Sequence, residues 1–214
     1  EEKLLVGQHD DSQKVVDFQH PADLSELMDV AIGSEGITEA ELEAICRKTI
    51  QYSVKTSNPG FYNQLYHGAD PYGVAGSWLS DALNTNNHTF EVAPVFIVVE
   101  RAVLQWIMSK FGWKDGDGDG IFCPGGSLAN MYGMVLARYK LCPDIKQQGL
   151  YGRPPLVAFA SEESHYSAIK GANWLGLGTD NLVKVRTNAK GEMIPEELDR
   201  AVEKAKADGK TPFF

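Results

Sequence analysis

Three adjacent residues, Gly125, Gly126 and Ser127, carry the chemistry most easily read from this sequence. They lie in GIFCPGGSLANMYGMVLARYK, Gly120 to Lys140. Ile121, Phe122 and Cys123 can run extended, and Pro124 ends that run by fixing φ. Gly125 and Gly126 leave N–H groups unobstructed by a Cβ. Ser127 stands where a helix N-cap belongs. Behind it Leu128, Met131, Val135 and Tyr139 recur at helical spacing as one buried face. A glycine turn feeding a helix offers N–H donors and the positive end of the helix dipole to a phosphate. A helix start whose glycines serve turn geometry alone has the same local pattern. His165, in Glu162-Glu163-Ser164-His165-Tyr166-Ser167, is the second group of interest. Its imidazole can lie flat against an aromatic cofactor or hand over a proton; a surface histidine in a helix-capping segment is the plainer reading. Lys170 has the chemistry of a Schiff-base lysine, but its pattern faces solvent. In the loop TSNPGFYNQLYHGAD, residues 56 to 70, Gln64 is the polar residue best suited to orient a ligand carboxylate. Packing of that loop by Phe61, Tyr62, Leu65 and Tyr66 is the structural alternative.

These residues need elements to hold them. Leu24, Leu27, Met28 and Ala31 predict a helix over 22–32, ending at Gly33. Thr38 with Glu41 forms a capping-box pattern, so 39–54 is a helix with Leu42, Ile45, Thr49 and Tyr52 on one face. Together they make a helical arm whose apolar faces need a partner outside the first 60 residues. Val74–Leu83 and 93–111 are further helices, the second with Val95, Val99, Ala102, Val103 and Trp106 as its buried face. Beyond the central helix the chain alternates: strand 156–160, helix 164–175, strand 182–186, helix 195–207, and Phe213-Phe214 opening another strand. Such alternation implies an α/β fold with a mostly parallel sheet covered by helices. Ligands of such sheets sit beyond the carboxyl ends of strands, where Gly125–Ser127 and His165 both fall.

Composition narrows the function. The chain has 214 residues, 43% apolar and 23% charged, as a globular protein does. A net charge of −9 argues against nucleic acid as a partner. No apolar run reaches the length of a membrane span, and the N-terminus has no signal-peptide pattern. Three separated cysteines, Cys46, Cys123 and Cys142, suit a reducing compartment, so a cytoplasmic location is expected. Asp115, Asp117 and Asp119 imitate the start of a calcium loop, but its twelfth position is Gly126 rather than glutamate, and no metal site is expected. No P-loop, dinucleotide fingerprint, zinc spacing or nucleophile elbow is present. A chain that starts at Glu1 without methionine and stops on Phe213-Phe214 is expected to be a fragment.

The motifs SNPGFYNQLYHGADPYGVAGSWLSDALN, FEVAPVFIVVE, GDGIFCPGGSLANMYGMVLARYK, SHYSAIKGANWLGLGTDN and GEMIPEEL follow one another between Ser57 and Phe214. In that order they resemble the group II pyridoxal-phosphate decarboxylases, in the branch acting on acidic amino acids: cysteine sulfinate, aspartate 1- and glutamate decarboxylases. The resemblance implies fold type I, the aspartate-aminotransferase type. Residues 1–56 would be a helical N-terminal arm and residues 57–214 the N-terminal part of the large cofactor domain, incomplete. It implies pyridoxal 5'-phosphate as cofactor, with Gly125, Gly126 and Ser127 on its phosphate and His165 on its ring, assisting protonation. Gln64, Leu65 and Tyr66 match the loop that meets the substrate's acidic side chain. A homodimer is implied, with the arm packed on the second subunit. The family's Schiff-base lysine falls downstream of Phe214, so these residues alone are expected to be inactive. Cys123 before Pro-Gly-Gly-Ser looks like the cysteine sulfinate type, giving hypotaurine or β-alanine as product. The alternatives are a glutamate decarboxylase and a truncated subunit that only binds or dimerises. The repeated Asp-Gly before Gly120 departs from the family pattern and lengthens the turn.

Overall fold

A computed structural model of the chain describes residues 12–66, 68–114 and 116–214. Asp115 of the acidic turn and His67 of the aromatic loop lie outside the described residues. The chain divides into two compact units, Glu1–Glu100 and Arg101–Phe214.

The first unit is helical. Helix α1 spans Pro21–Met28, shorter than the periodicity suggests, because Asp29 takes a left-handed conformation (φ 47°) and stops it. Helix α2, Glu39–Tyr52, starts at the expected capping box: Thr38 Oγ1 accepts from the Glu41 N–H, and Glu41 accepts from the Thr38 N–H at 2.7 Å. Helix α3, Pro71–Leu83, begins three residues before the expected Val74 because Asp70 caps it through the Gly73 N–H at 2.7 Å. Helix α4, Pro94–Lys110, runs from the first unit into the second. Its expected buried face is exposed: Val95, Val99, Val103 and Trp106 all face solvent. The loop before α3 is pinned by a buried Asn58, whose Oδ1 accepts from the Gly60 N–H at 2.8 Å while its Nδ2 donates to the Gln13 carbonyl.

The second unit is α/β. Helix α5, Gly126–Leu141, and a short helix α6, Ile145–Gln148, precede strand β1, Leu156–Ser161. Helix α7, Ser167–Trp174, leads to strand β2, Leu182–Val185; helix α8, Pro195–Ala207, leads to β3, Thr211–Pro212. Helix α8 matches its expected bounds, since Pro195 supplies the fixed φ that suits a first helical residue. The strands are parallel in the order β2-β1-β3. Residues 121–123 form no strand, because among the described residues nothing offers them a ladder.

Central position makes β1 the most buried element, with Leu156, Val157 and Ala158 closed off from water. Alternation divides its side chains. Leu156, Ala158 and Ala160 pack with Met134 of α5, Ala172 of α7, Ile145, Leu177 and Leu182. Phe159 points the other way and shares a groove with Leu198 and Val202 of α8. Helices therefore cover both faces, and the strand order reverses about β1, the condition for a ligand crevice at the carboxyl ends.

Candidate functional site

The N-cap of helix α5 is Gly125 rather than Ser127. Gly125 has φ 113° and ψ 156°, a conformation side-chain-bearing residues rarely adopt. Its carbonyl accepts the first helical bond, from Ala129 at 3.2 Å. Ser127 is displaced to the second helical position, and no side chain caps the helix. The N–H groups of the first turn have no carbonyl within the helix to reach. Open space lies where a Cβ on Gly125 or Gly126 would project, with no atom within 4 Å. Uncapped donors, the positive end of a 16-residue helix and an unfilled approach together suit a phosphate. A pyridoxal phosphate group fits these residues through its phosphate.

The face of α5 follows the periodic reading at Leu128, Met131 and Val135 and departs from it at the end. Met131 and Met134 are the buried positions, whereas Tyr139 is 50% exposed. Three contacts at a constant separation of 37 residues tie α5 to α7. Asn130 Nδ2 donates to Ser167 Oγ at 2.8 Å. A Cβ on Gly171 would lie 2.6 Å from Met134 Sδ, so the helices meet there as closely as glycine permits. Arg138 Nη1 donates to the Leu175 carbonyl at 2.9 Å. Steps of four on both helices, in the same direction, mean that α5 and α7 run parallel, with the second turn of α5 beside the first turn of α7. The glycine turn just before α5 and His165 just before α7 thus lie at the same end of the pair.

His165 sits in the loop leaving the carboxyl end of β1, and β2 holds that loop. The Glu162 N–H donates to the Val185 carbonyl at 2.9 Å. Lys184 Nζ donates to Ser164 Oγ at 2.8 Å. Glu162 Oε1 accepts from the Thr187 N–H at 2.6 Å and from its hydroxyl at 2.8 Å. The Thr187 N–H first, then the Thr187 hydroxyl and the nearby Arg186 charge, hold the Glu162 carboxyl below its ordinary value. A carboxyl lowered on folding stabilises the fold above its unfolded pKa, and that contribution is lost as pH falls through the folded pKa. Wild type should therefore lose stability relative to Glu162→Gln as pH drops below about 4. Equal pH dependence of thermal unfolding in the two proteins contradicts this.

The imidazole of His165 is exposed and lies beside the ring of Tyr166, centroids 4.0 Å apart and planes tilted by 35°. Its Nδ1 accepts from the Ser167 N–H at 3.2 Å. Lys170 Nζ rests 4.3 Å above the Tyr166 ring, a cation–π contact that places this lysine at the exterior, as its pattern suggested. Gln64, Leu65 and Tyr66 belong to the first unit. All three are exposed; the Leu65 N–H donates to Asn63 Oδ1 at 2.8 Å, and Tyr66 meets Phe61 at 5.6 Å. Asn130, Ser167 and Gly171 join the two helices without any signal in the periodic pattern. Small or polar residues carry no hydrophobic period, although the i, i+4 spacing of Ser167 and Gly171 is a sign of close helix approach. Among the described residues no cluster of histidine, cysteine, aspartate and glutamate could hold a metal, and no helix is long and apolar enough to cross a membrane.

Residues 21–214 match the pyridoxal-dependent decarboxylase conserved domain, and the chain belongs to that family. It is 49% identical over 212 residues to the acidic amino acid decarboxylase GADL1 of Xenopus tropicalis, covering 99% of this chain and 41% of that protein. It is 47% identical over 203 residues to the cysteine sulfinic acid decarboxylase of Homo sapiens, covering 95% of this chain and 41% of that one. The crystal structure of mouse CSAD in apo form superposes with a TM-score of 0.95 at 44% identity, over 100% of this chain and 44% of the other. The α/β fold with its parallel sheet is thus that of a pyridoxal-dependent decarboxylase. The chain spans about two fifths of the length of the curated relatives it matches.

Proposed function

We propose that the full-length protein is a carboxy-lyase that removes the α-carboxylate of an acidic amino acid, using pyridoxal phosphate. The observation that carries this reading is the uncapped glycine turn of α5 at the same end of a parallel helix pair as His165, in a chain of this family. The chemistry that pyridoxal phosphate supplies when bound is an electron sink for the pair freed as carbon dioxide leaves.

This chain's residues bind and orient. The N–H groups of Gly126 and Ser127 hold the phosphate, and the Gly125 conformation aims them. Tyr166 lies along the His165 imidazole, which offers its remaining face to a flat ring and a ring N–H for proton transfer at the reacting carbon. Gln64, Leu65 and Tyr66 meet the acidic side chain of the substrate. Residues 1–56 form an arm that packs on a second copy in a homodimer, and residues 57–214 begin the cofactor domain. A cytoplasmic location accords with three free cysteines.

Cysteine sulfinate or aspartate is the proposed substrate, giving hypotaurine or β-alanine, because Cys123 precedes the Pro-Gly-Gly-Ser turn and the relatives above are named for acidic substrates. One methylene separates aspartate from glutamate, a difference of about 1–3 kcal/mol in a pocket, or roughly 10–200-fold in kcat/KM. Carbon dioxide release by the full-length protein should depend on added pyridoxal phosphate and should be faster from cysteine sulfinate or aspartate than from glutamate. Faster release from glutamate overturns the substrate, and no release from any of the three overturns the activity.

A further inference from the structure

Asn130 and Ser167 have no part in the binding scheme above, yet they form the polar link between its two halves. Asn130 stands in the second turn of α5, downstream of the glycine turn. Ser167 is the first residue of α7, two residues after His165, and is 2% exposed. A buried hydroxyl needs a protein partner, and the Asn130 amide supplies it at 2.8 Å. With its side chain held, the Ser167 N–H points at Nδ1 of His165 from 3.2 Å. A ring nitrogen that accepts a hydrogen bond carries no proton, so the proton of the neutral imidazole resides on Nε2.

We propose that Asn130, acting through Ser167, is a positioning residue that fixes the plane of His165 and keeps its Nδ1 occupied and its Nε2 protonated. The functional meaning of this link rests on the reading of His165 as the residue that faces the cofactor ring. The link itself does not, because it consists of contacts within the chain. A helix of eight residues has little of its own to steady its first turn. Gly171 against Met134 holds its middle and Arg138 on the Leu175 carbonyl its end, which leaves the Asn130–Ser167 bond to hold the start. Without that bond the first turn of α7 loses its side-chain tie to α5, and the N–H is aimed less firmly at the ring.

Carbethoxylation tests this in the full-length protein without cofactor. Diethyl pyrocarbonate attacks an unprotonated ring nitrogen, here Nδ1, and mass spectrometry reads each histidine. His88, exposed and outside the N-terminal arm, is the internal reference. His165 is exposed too, so accessibility alone predicts a rate like that of His88. The occupied Nδ1 should instead make His165 about 3–10-fold slower than His88, the worth of one neutral hydrogen bond. Asn130→Ala should remove most of that difference without changing His88. Asn130→Asp should restore it, since a carboxylate can accept from the Ser167 hydroxyl. If Asn130→Ala does not fold, Ser167→Ala takes its place, keeping the backbone N–H while cutting the tie. Equal labelling of His165 and His88 in wild type, or an unchanged His165 rate in the variants, overturns the proposal. Pyridoxal phosphate added to wild type should shield His165. A failure of shielding alone removes the cofactor reading and leaves the Asn130 link standing.

Discussion

Replacing Gly126 by valine is expected to weaken pyridoxal phosphate binding to the full-length protein by about 10- to 150-fold, the loss of one charge-assisted hydrogen bond worth about 1.5–3 kcal/mol. The fold itself should tolerate the change. Gly126 is the first residue of α5, and a Cβ there meets no atom within 4 Å. Its side chain would project into the open approach to the uncapped N–H groups, where the phosphate is proposed to sit. Gly125 is the wrong residue for this test, because its φ of 113° would strain any side-chain-bearing replacement and mix folding with binding. Cofactor titration read by absorbance gives the affinity, and thermal unfolding without cofactor should move by less than about 2 °C. Unchanged affinity contradicts the phosphate assignment.

The second large effect is on stability. Gly171 of α7 faces Met134, which is 1% exposed and has no room to retreat. A Cβ at 171 would lie 2.6 Å from Met134 Sδ and 3.4 Å from Met131 Cγ. Gly171→Val should therefore destabilise the second unit by about 1–3 kcal/mol, the range for overpacking a filled interior. Met134→Ala alone should cost about 2–5 kcal/mol through the cavity it leaves. The double variant places the added methyls in that cavity, so its cost should fall short of the sum by about 1 kcal/mol or more. Denaturant unfolding of the four proteins measures the coupling. Simple additivity would show that the two residues do not share one space.

Elements with a strong apolar signal were legible in the sequence, and elements set by small or polar groups were not. LVAFA and LVKVR read as strands because β1 and β2 carry runs of residues that a covered sheet buries. Pro195 marked the start of α8, and Thr38 with Glu41 marked that of α2. The glycine turn is legible in the sequence, but its cap lies two residues before the serine that the pattern suggests. A serine after glycines resembles an N-cap, whereas Gly125 fills that position with a conformation that needs no side chain. The expected face of α5 holds at Met131, which is buried, and fails at Tyr139, which counts as apolar but is half exposed; Met134, outside that face, is the residue Gly171 of α7 meets most closely. The same helix pair depends on Gly171, Ser167 and Asn130, and no hydropathy pattern points to them. His165 could be named as a candidate, while the Ser167 N–H on its Nδ1 and the tie to Asn130 emerged only with the fold.

The most direct test of the account is a crystal structure of the full-length protein with pyridoxal phosphate bound. The phosphate oxygens should lie within hydrogen-bond distance, about 2.7–3.2 Å, of the N–H groups of Gly126 and Ser127. The imidazole of His165 should lie parallel to the pyridine ring, with its Nδ1 still accepting from Ser167. A phosphate held elsewhere, with the first turn of α5 left to solvent and His165 turned away from the ring, would contradict the central claim.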